Sequence, residues 1–332
     1  MRTITYRDAL REAIREEMLR DERVFIMGED IAGYGGTYAV TKGLFEEFGE
    51  KRVRDTPLAE EVITGAAIGA ALGGLRPILE LMTINFSLLA TDMVVNNAAK
   101  FRYMFGGQPE LPFVLRMPGG GGAQRGAQHS QVFESWYAHV PGLKVVMPAT
   151  PYDAKGMLKS AVRDPDPVIL IEHELLYNVK GEVPDEGFEY TVPLNRGEVK
   201  REGRHVSIVT FSRMLHVCLQ AAGDLAKEGI EAEVIDLRSI RPIDIDLIVD
   251  SVKKTNRVVI AEEGWKYYGT GQGLAALIYE HAFDYMDAPI QHVTGADVPM
   301  PYSKVLERAA LPNKGNVIDA VKAIVPAALA YS

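Results

Sequence analysis

Short runs of β-branched and aliphatic residues alternate with longer stretches of helical periodicity along most of the chain, and this alternation limits the fold more than any other feature. Candidate strands fall at 24–27, 77–81, 112–116, 145–147 and 168–172, and helical patterns at 61–72, 88–104 and 154–162. Ahead of the first strand, Thr5 and Asp8 form a capping-box signal, and Ala9, Leu10, Ala13, Ile14, Met18 and Leu19 line one apolar face. Strands and helices in this order build a parallel sheet covered by helices on both faces.

The rhythm breaks at about 173–204, where prolines, glycines and mixed charges read as a connecting segment. It resumes with strands at 206–211, 233–237, 257–261 and 290–293 and helices at 215–227, 245–254, 273–283 and 317–325, the last stopped by Pro326. A length of 332 residues has room for two domains. The expectation is an α/β protein with a parallel-sheet domain over 1–190, a linker over 191–204 and a second α/β domain over 205–332. No short-period repeat interrupts that reading.

Composition narrows function by exclusion. With 36 Lys+Arg against 45 Asp+Glu, a net charge of −9 argues against a general nucleic-acid binder, whose affinity comes from neutralising phosphate. The longest uncharged apolar stretch, 62–75, is shorter than the ~20 residues a membrane span needs and is rich in glycine. The N-terminus lacks the apolar core of a secretory signal and carries acids too early for a transit peptide, so the cytoplasm is the expected location. A single cysteine, Cys218, can form neither an intrachain disulfide nor a cysteine zinc site.

Three motifs invite chemistry. Gly271-Gln-Gly-Leu-Ala-Ala276 matches G-x-G-x-x-A, with Asp297 downstream, as in dinucleotide binding. Several residues (EEGWKYYGT) separate it from the strand, however, whereas that fingerprint turns straight out of the strand; a glycine-rich helix entry explains it better. Gly119-Gly-Gly-Gly122 follows a strand and leads into AQRGAQHSQ, at the end of a parallel strand where open α/β sheets bind ligands. There His129 reads either as an acid, base or anion contact or as an incidental loop residue. Glu60-Glu61 heads the small-residue run VITGAAIGAALGG. Acids in a first helical turn complement the helix dipole, which is the simpler reading; the alternative turns one carboxylate inward. P-loop, G-x-S-x-G and H-E-x-x-H signatures are absent.

Taken together, GEDIAGYGGTYAVTKGL, VRDTPLAEEVITGAAIGAALGGLRPILELMTINF, NNAAKFRYMFGGQ, GAQHSQVFESWYAHVPGLKVVMPATPYDAKGMLKSAVRDPDPVILIEHELLY, EVIDLRSIRPID and TGADVPMPY resemble the beta subunits of the thiamin-dependent 2-oxo acid dehydrogenases. These segments run in order along nearly the whole chain. The resemblance implies a pyrimidine-binding thiamin-diphosphate domain followed by a domain similar to the transketolase C-terminal domain. It implies that Glu60 hydrogen-bonds the aminopyrimidine ring nitrogen and that Leu58, Met82 and Phe86 surround that ring. Leu89 departs from the pattern, since some relatives carry glutamine there. His129 matches a histidine beside the reacting carbon, where it stabilises the intermediate or assists transfer to a lipoyl group. Phe113, Ala161, Val162, Asp164 and Asp166 match a monovalent-cation site, potassium being the expected ion, built mainly from backbone oxygens; Asp166 stands where asparagine is often found.

Thiamin enzymes hold the diphosphate through magnesium with a G-D-G segment and N-N about thirty residues on; this chain has Asn96-Asn97 and no G-D-G upstream. By resemblance, an alpha subunit supplies the magnesium and diphosphate half, in a heterotetramer of two alpha and two beta chains. The second domain is implied in assembly and in binding a dihydrolipoamide acetyltransferase core, with acids such as Asp287 meeting basic residues. The segments 82–86 and 129–133 resemble the pyruvate and acetoin types. The expected activity is oxidative decarboxylation of pyruvate with reductive acetylation of lipoamide. Acetoin and branched-chain 2-oxo acids are the alternative substrates, and a non-catalytic assembly partner is the alternative of another class.

Overall fold

The first long helix, Tyr6–Arg20, starts at the cap the sequence marks: Thr5 Oγ1 accepts the Asp8 N–H at 3.1 Å and donates its own hydrogen to the Asp8 carboxylate at 2.5 Å. Ala9, Leu10, Ala13, Ile14 and Met18 are buried, while Leu19 is 59% exposed, because the step of about 100° from Met18 carries it off the apolar face. A computed structural model describes residues 1–326, so the end of the expected second domain, 327–332, lies outside the described residues. Two units emerge: Met1–Gly119 with Trp136–Leu194, and Gly120–Ser135 with the chain from Asn195 onward. The chain thus leaves the first unit after Gly119, re-enters it at Trp136 and leaves it again after Leu194.

In the first unit the strands Lys144–Val146, Val168–His173, Val114–Gly119, Arg76–Glu80, Val24–Gly28 and Val53–Asp55 lie side by side in that order, each pair parallel. Val24–Gly28, Val114–Gly119 and Val168–His173 are buried along their whole length, as parallel strands covered on both faces must be. From Val24–Gly28 the chain goes first to Val53–Asp55 on one side and then to Arg76–Glu80 on the other. That reversal opens a crevice outside the carboxyl ends of Val24–Gly28 and Arg76–Glu80. Glu29 follows the first of these strands, and Leu81 and Met82 follow the second. The helix Glu60–Leu72 packs on Arg76–Glu80 and on the short helical segment Ile84–Ala90.

The second unit carries strands in the order Gln291–Gly295, Val258–Trp265, Val206–Thr210, Ala232–Asp236 and Glu198–Arg201, parallel except for the last. Its longer helices are Met214–Ala226, Ile245–Thr255, Thr270–Ala282 and Lys314–Ile324, close to the spans expected.

Two stretches differ from expectation. The segment 88–104 is not one helix: it breaks into Ile84–Ala90, the wide-turned Met93–Ala98 and Phe101–Met104. The Asn97 side-chain amide donates to the Asp92 backbone carbonyl at 3.3 Å, a bond that competes with regular helix for that acceptor. The stretch 191–204 contains the strand Glu198–Arg201, which lies antiparallel on Ala232–Asp236. Gly203 makes that approach possible, since a Cβ there would run into the backbone of Ala232 and Glu233. A further antiparallel pair, Arg2–Thr5 with Lys180–Val183, also went without a sequence signal.

Candidate active site

At the crevice of the first unit two carboxylates face one environment. Glu60 opens its helix, is buried, and has Ala59 rather than a capping side chain before it; Glu61 next to it is exposed. The inward-turned alternative therefore describes Glu60, and the ordinary dipole-complementing role falls to Glu61. Glu29 is buried too, and neither of its carboxylate oxygens has a hydrogen-bond partner among the described residues. Burial, then the charges of Glu60 and Asp30, push the Glu29 carboxyl up to about 7. A carboxyl in that condition holds a proton near neutral pH and offers it to whatever enters the crevice. Sequence reasoning missed Glu29, because an acid after a strand looks like any solvated loop residue.

The apolar residues expected at a flat ring stand in two conditions. Met82 and Phe86 are half-buried, and Leu58 is 75% exposed. Around Phe86 the backbone is pinned: Thr83 Oγ1 accepts the Asn85 side-chain amide at 2.7 Å, Ser87 donates to Ile84 O at 2.5 Å, and the Tyr137 hydroxyl reaches Ser87 Oγ at 2.5 Å. Leu89 is exposed and adds apolar surface where a glutamine would be polar.

Beneath this crevice the sheet holds a buried ion cluster. Arg116, fully buried, pairs with Glu80 on one neighbouring strand and with Glu172 on the other, the latter also at 2.8 Å through its second terminal nitrogen. The Tyr177 hydroxyl donates to Glu172 at 2.5 Å, and Tyr38 stacks on the Tyr177 ring at 4.8 Å. Burial and the adjacent Glu172 carboxylate push the Tyr177 hydroxyl up, so it stays a donor.

His129 belongs to the second unit and is exposed. Its loop is shaped by left-handed residues that favour glycine, among them Gly120 (φ 93°), Gly122 (φ 101°) and Gly126 (φ 75°). Close by in the chain, Glu134 is buried, and burial followed by the charges of Glu262 and Glu263 pushes it up to about 8.

The residues expected at a monovalent cation divide by chemistry. The carbonyl oxygens of Phe113, Ala161 and Val162 accept from Val168 N, Asp164 N and Arg76 at 2.9, 3.3 and 2.8 Å, and each keeps a second lone pair. The carboxylates are engaged by protein cations: Lys144 lies 2.6 Å from Asp164 and 3.4 Å from Asp166, and Arg102 pairs with Asp166. Among the described residues no group of three or more His, Cys, Asp or Glu is arranged to hold a metal ion.

The remaining motifs have structural explanations. Gly271 N donates to Glu262 Oε1 at 2.9 Å, and His292 meets the same oxygen at 2.7 Å. The helix start that would receive a dinucleotide phosphate thus already has an internal anion. Asp287 pairs with Arg257 at 2.7 Å. Cys218 is buried, and burial pushes its thiol up to about 12. Among the described residues no helix is long and apolar enough to cross a membrane.

Comparison with known proteins assigns two successive segments of the chain, the first of which runs unbroken through 120–135. Residues 2–180 match the transketolase pyrimidine-binding domain, and residues 195–317 the transketolase C-terminal domain. The chain is 52% identical to the mitochondrial pyruvate dehydrogenase E1 component subunit beta of Dictyostelium discoideum, over 97% of this chain and 91% of that protein. It is 51% identical to the Rickettsia felis protein of that name, over 97% and 98%, and 48% identical to the human mitochondrial one, over 96% and 90%. Among solved structures, a split-gene transketolase described as an inactive beta4 tetramer matches with a TM-score of 0.79 at 24% identity, over 97% of this chain and 98% of that one, a likeness of fold.

Proposed function

The chain belongs to the family of pyruvate dehydrogenase E1 component beta subunits, built from transketolase-type pyrimidine-binding and C-terminal domains, and from that membership we propose how its own residues serve the reaction. The activity is thiamin-diphosphate-dependent oxidative decarboxylation of pyruvate with reductive acetylation of lipoamide. One observation carries the assignment of the site: a buried Glu60 heads its helix within the electrostatic reach of Glu29, whose two oxygens have no hydrogen-bond partner among the described residues. Orphaned carboxylate oxygens suit a flat, nitrogen-bearing heterocycle, and the family resemblance implies Leu58, Met82 and Phe86 as the apolar surface around it.

Thiamin diphosphate, when bound, supplies the electron sink for loss of carbon dioxide from the 2-oxo acid. Glu60 exchanges a proton with the pyrimidine ring nitrogen; its poorly solvated carboxylate couples strongly to that proton. Glu29 keeps a second proton nearby at neutral pH. Leu58, Met82 and Phe86 exclude water from the ring faces. His129 assists transfer of the acetyl group to the lipoyl arm. Phe113, Ala161 and Val162 would hold a monovalent cation through carbonyl oxygens, while Asp164 and Asp166 fix that loop through Lys144 and Arg102.

The missing G-D-G segment supports a half-site reading: an alpha subunit supplies magnesium and the diphosphate contacts in a tetramer of two alpha and two beta chains. Asn96 and Asn97 are bonded to Asp92 within their own helix. The assembly then docks on a dihydrolipoamide acetyltransferase core. The deciding experiment measures carbon dioxide release from pyruvate, acetoin and 2-oxoisovalerate by the chain alone and with a cognate alpha subunit. Activity should need both chains and favour pyruvate. Full activity of the lone chain would end the half-site reading, and no activity with alpha present would return the chain to a purely assembling role.

A further inference from the structure

The glycine-rich loop before His129 spends its backbone donors on the second unit to which it belongs. Gly121 N donates to Glu263 Oε1 at 2.7 Å, and Glu263 is itself paired with Arg213 at 2.8 Å. Gly122 N donates to Glu307 Oε1 at 2.9 Å, and Gln124 N to the same carboxylate at 3.0 and 3.2 Å. Glu307 is 1% exposed, and these backbone donors are its hydrogen-bond partners among the described residues. A concave run of backbone N–H groups is an anion-binding shape, and here its anion is a side chain of the same unit. The fit is close on the apolar side too. A Cβ on Gly121 would lie 2.9 Å from Met300 Cε and 3.0 Å from Leu311 Cδ2, and one on Gly126 would lie 3.6 Å from the Tyr302 ring.

From this arrangement we infer that Glu307, with Glu263 beside it, is a positioning residue for the reaction: the two carboxylates staple the loop 121–126 and so fix where His129 stands. The inference rests on the reading of His129 as a residue of acetyl transfer. The C-terminal domain then has a share in turnover beyond assembly. A buried carboxylate with several backbone donors is costly to leave half-satisfied, so the staple holds as a unit. Without it, a loop with several left-handed glycines loses the anchors of three of its backbone N–H groups.

The test uses the full chain assembled with its alpha subunit. In Glu307→Ala the amides of Gly122 and Gln124 should exchange with deuterium at least ten-fold faster, and acetyl transfer to lipoamide should fall about ten-fold. In a His129→Ala background the same change should cost less than two-fold, because a positioning residue acts only through the residue it positions. Glu307→Gln keeps one acceptor oxygen and should recover part of both losses; it also carries the measurement where the alanine variant fails to assemble. Unchanged amide exchange overturns the staple. An equal loss of transfer in both backgrounds overturns the positioning while leaving His129 in its role. A silent His129→Ala overturns the reading of His129 and with it this inference.

Discussion

Glu29 and Glu60, from the end of one strand and the head of one helix, share a buried crevice in which Glu29 is held up to about 7 by burial and by its neighbour's charge. The folded chain therefore binds this proton more tightly than the unfolded chain does. Stability from that source is present in full below the ordinary carboxylate range, near 4.5, and is lost as pH rises towards 7. In Glu29→Gln the pH dependence should shrink, and the variant should gain about 1–3 kcal/mol relative to the parent at pH 8. Urea unfolding at pH 4.5 and 8 measures this; parallel pH profiles for the two proteins would refute it.

Glu60→Gln removes the proton partner while keeping shape. Turnover of the assembled enzyme should drop by about 10²–10⁴-fold, the range for losing a positioned acid–base group. Exchange of the cofactor's C2 proton, followed by nuclear magnetic resonance, should slow in step. Wild-type exchange in the variant would take Glu60 out of the chemistry.

Arg116 sits between two carboxylates with no solvent, so removing it strands Glu80 and Glu172. Arg116→Met should cost more than about 3 kcal/mol, whereas Tyr177→Phe, which deletes a single hydroxyl from Glu172, should cost about 1–2 kcal/mol. Thermal unfolding of the two variants gives the ranking, and the reverse order would show that Tyr177 rather than Arg116 holds the cluster.

Gly271→Ala would place a methyl against His292 and 2.7 Å from Glu262 Oε1. Overpacking of that kind should destabilise the protein by about 1–3 kcal/mol. Calorimetry with NAD should meanwhile show no binding to the parent. A neutral substitution or measurable NAD affinity would revive the dinucleotide reading of the motif.

Much of the sheet was legible because parallel strands buried on both faces leave continuous apolar runs such as 168–171. Glu198–Arg201 was not, since a four-residue edge strand with charged ends carries no alternation to detect. The stretch 88–104 read as one helix because its apolar spacing is helical; the bond from the Asn97 side chain to the Asp92 carbonyl is invisible to periodicity. Glu60 gained its functional reading from resemblance, whereas Glu29 and Glu307 gave no signal. What distinguishes them is burial, together with the Glu60 charge beside Glu29 and the backbone donors on Glu307 from distant segments, and none of this is written in local composition.

The path of the chain through Gly120–Ser135 has a consequence for modularity. A protein whose halves met at one seam could be split into two separately expressed pieces at that seam. Here a cut after Leu194 would leave the first piece carrying a loop whose anchoring carboxylates are on the other piece. A half taken at that seam is therefore not a freely exchangeable cassette.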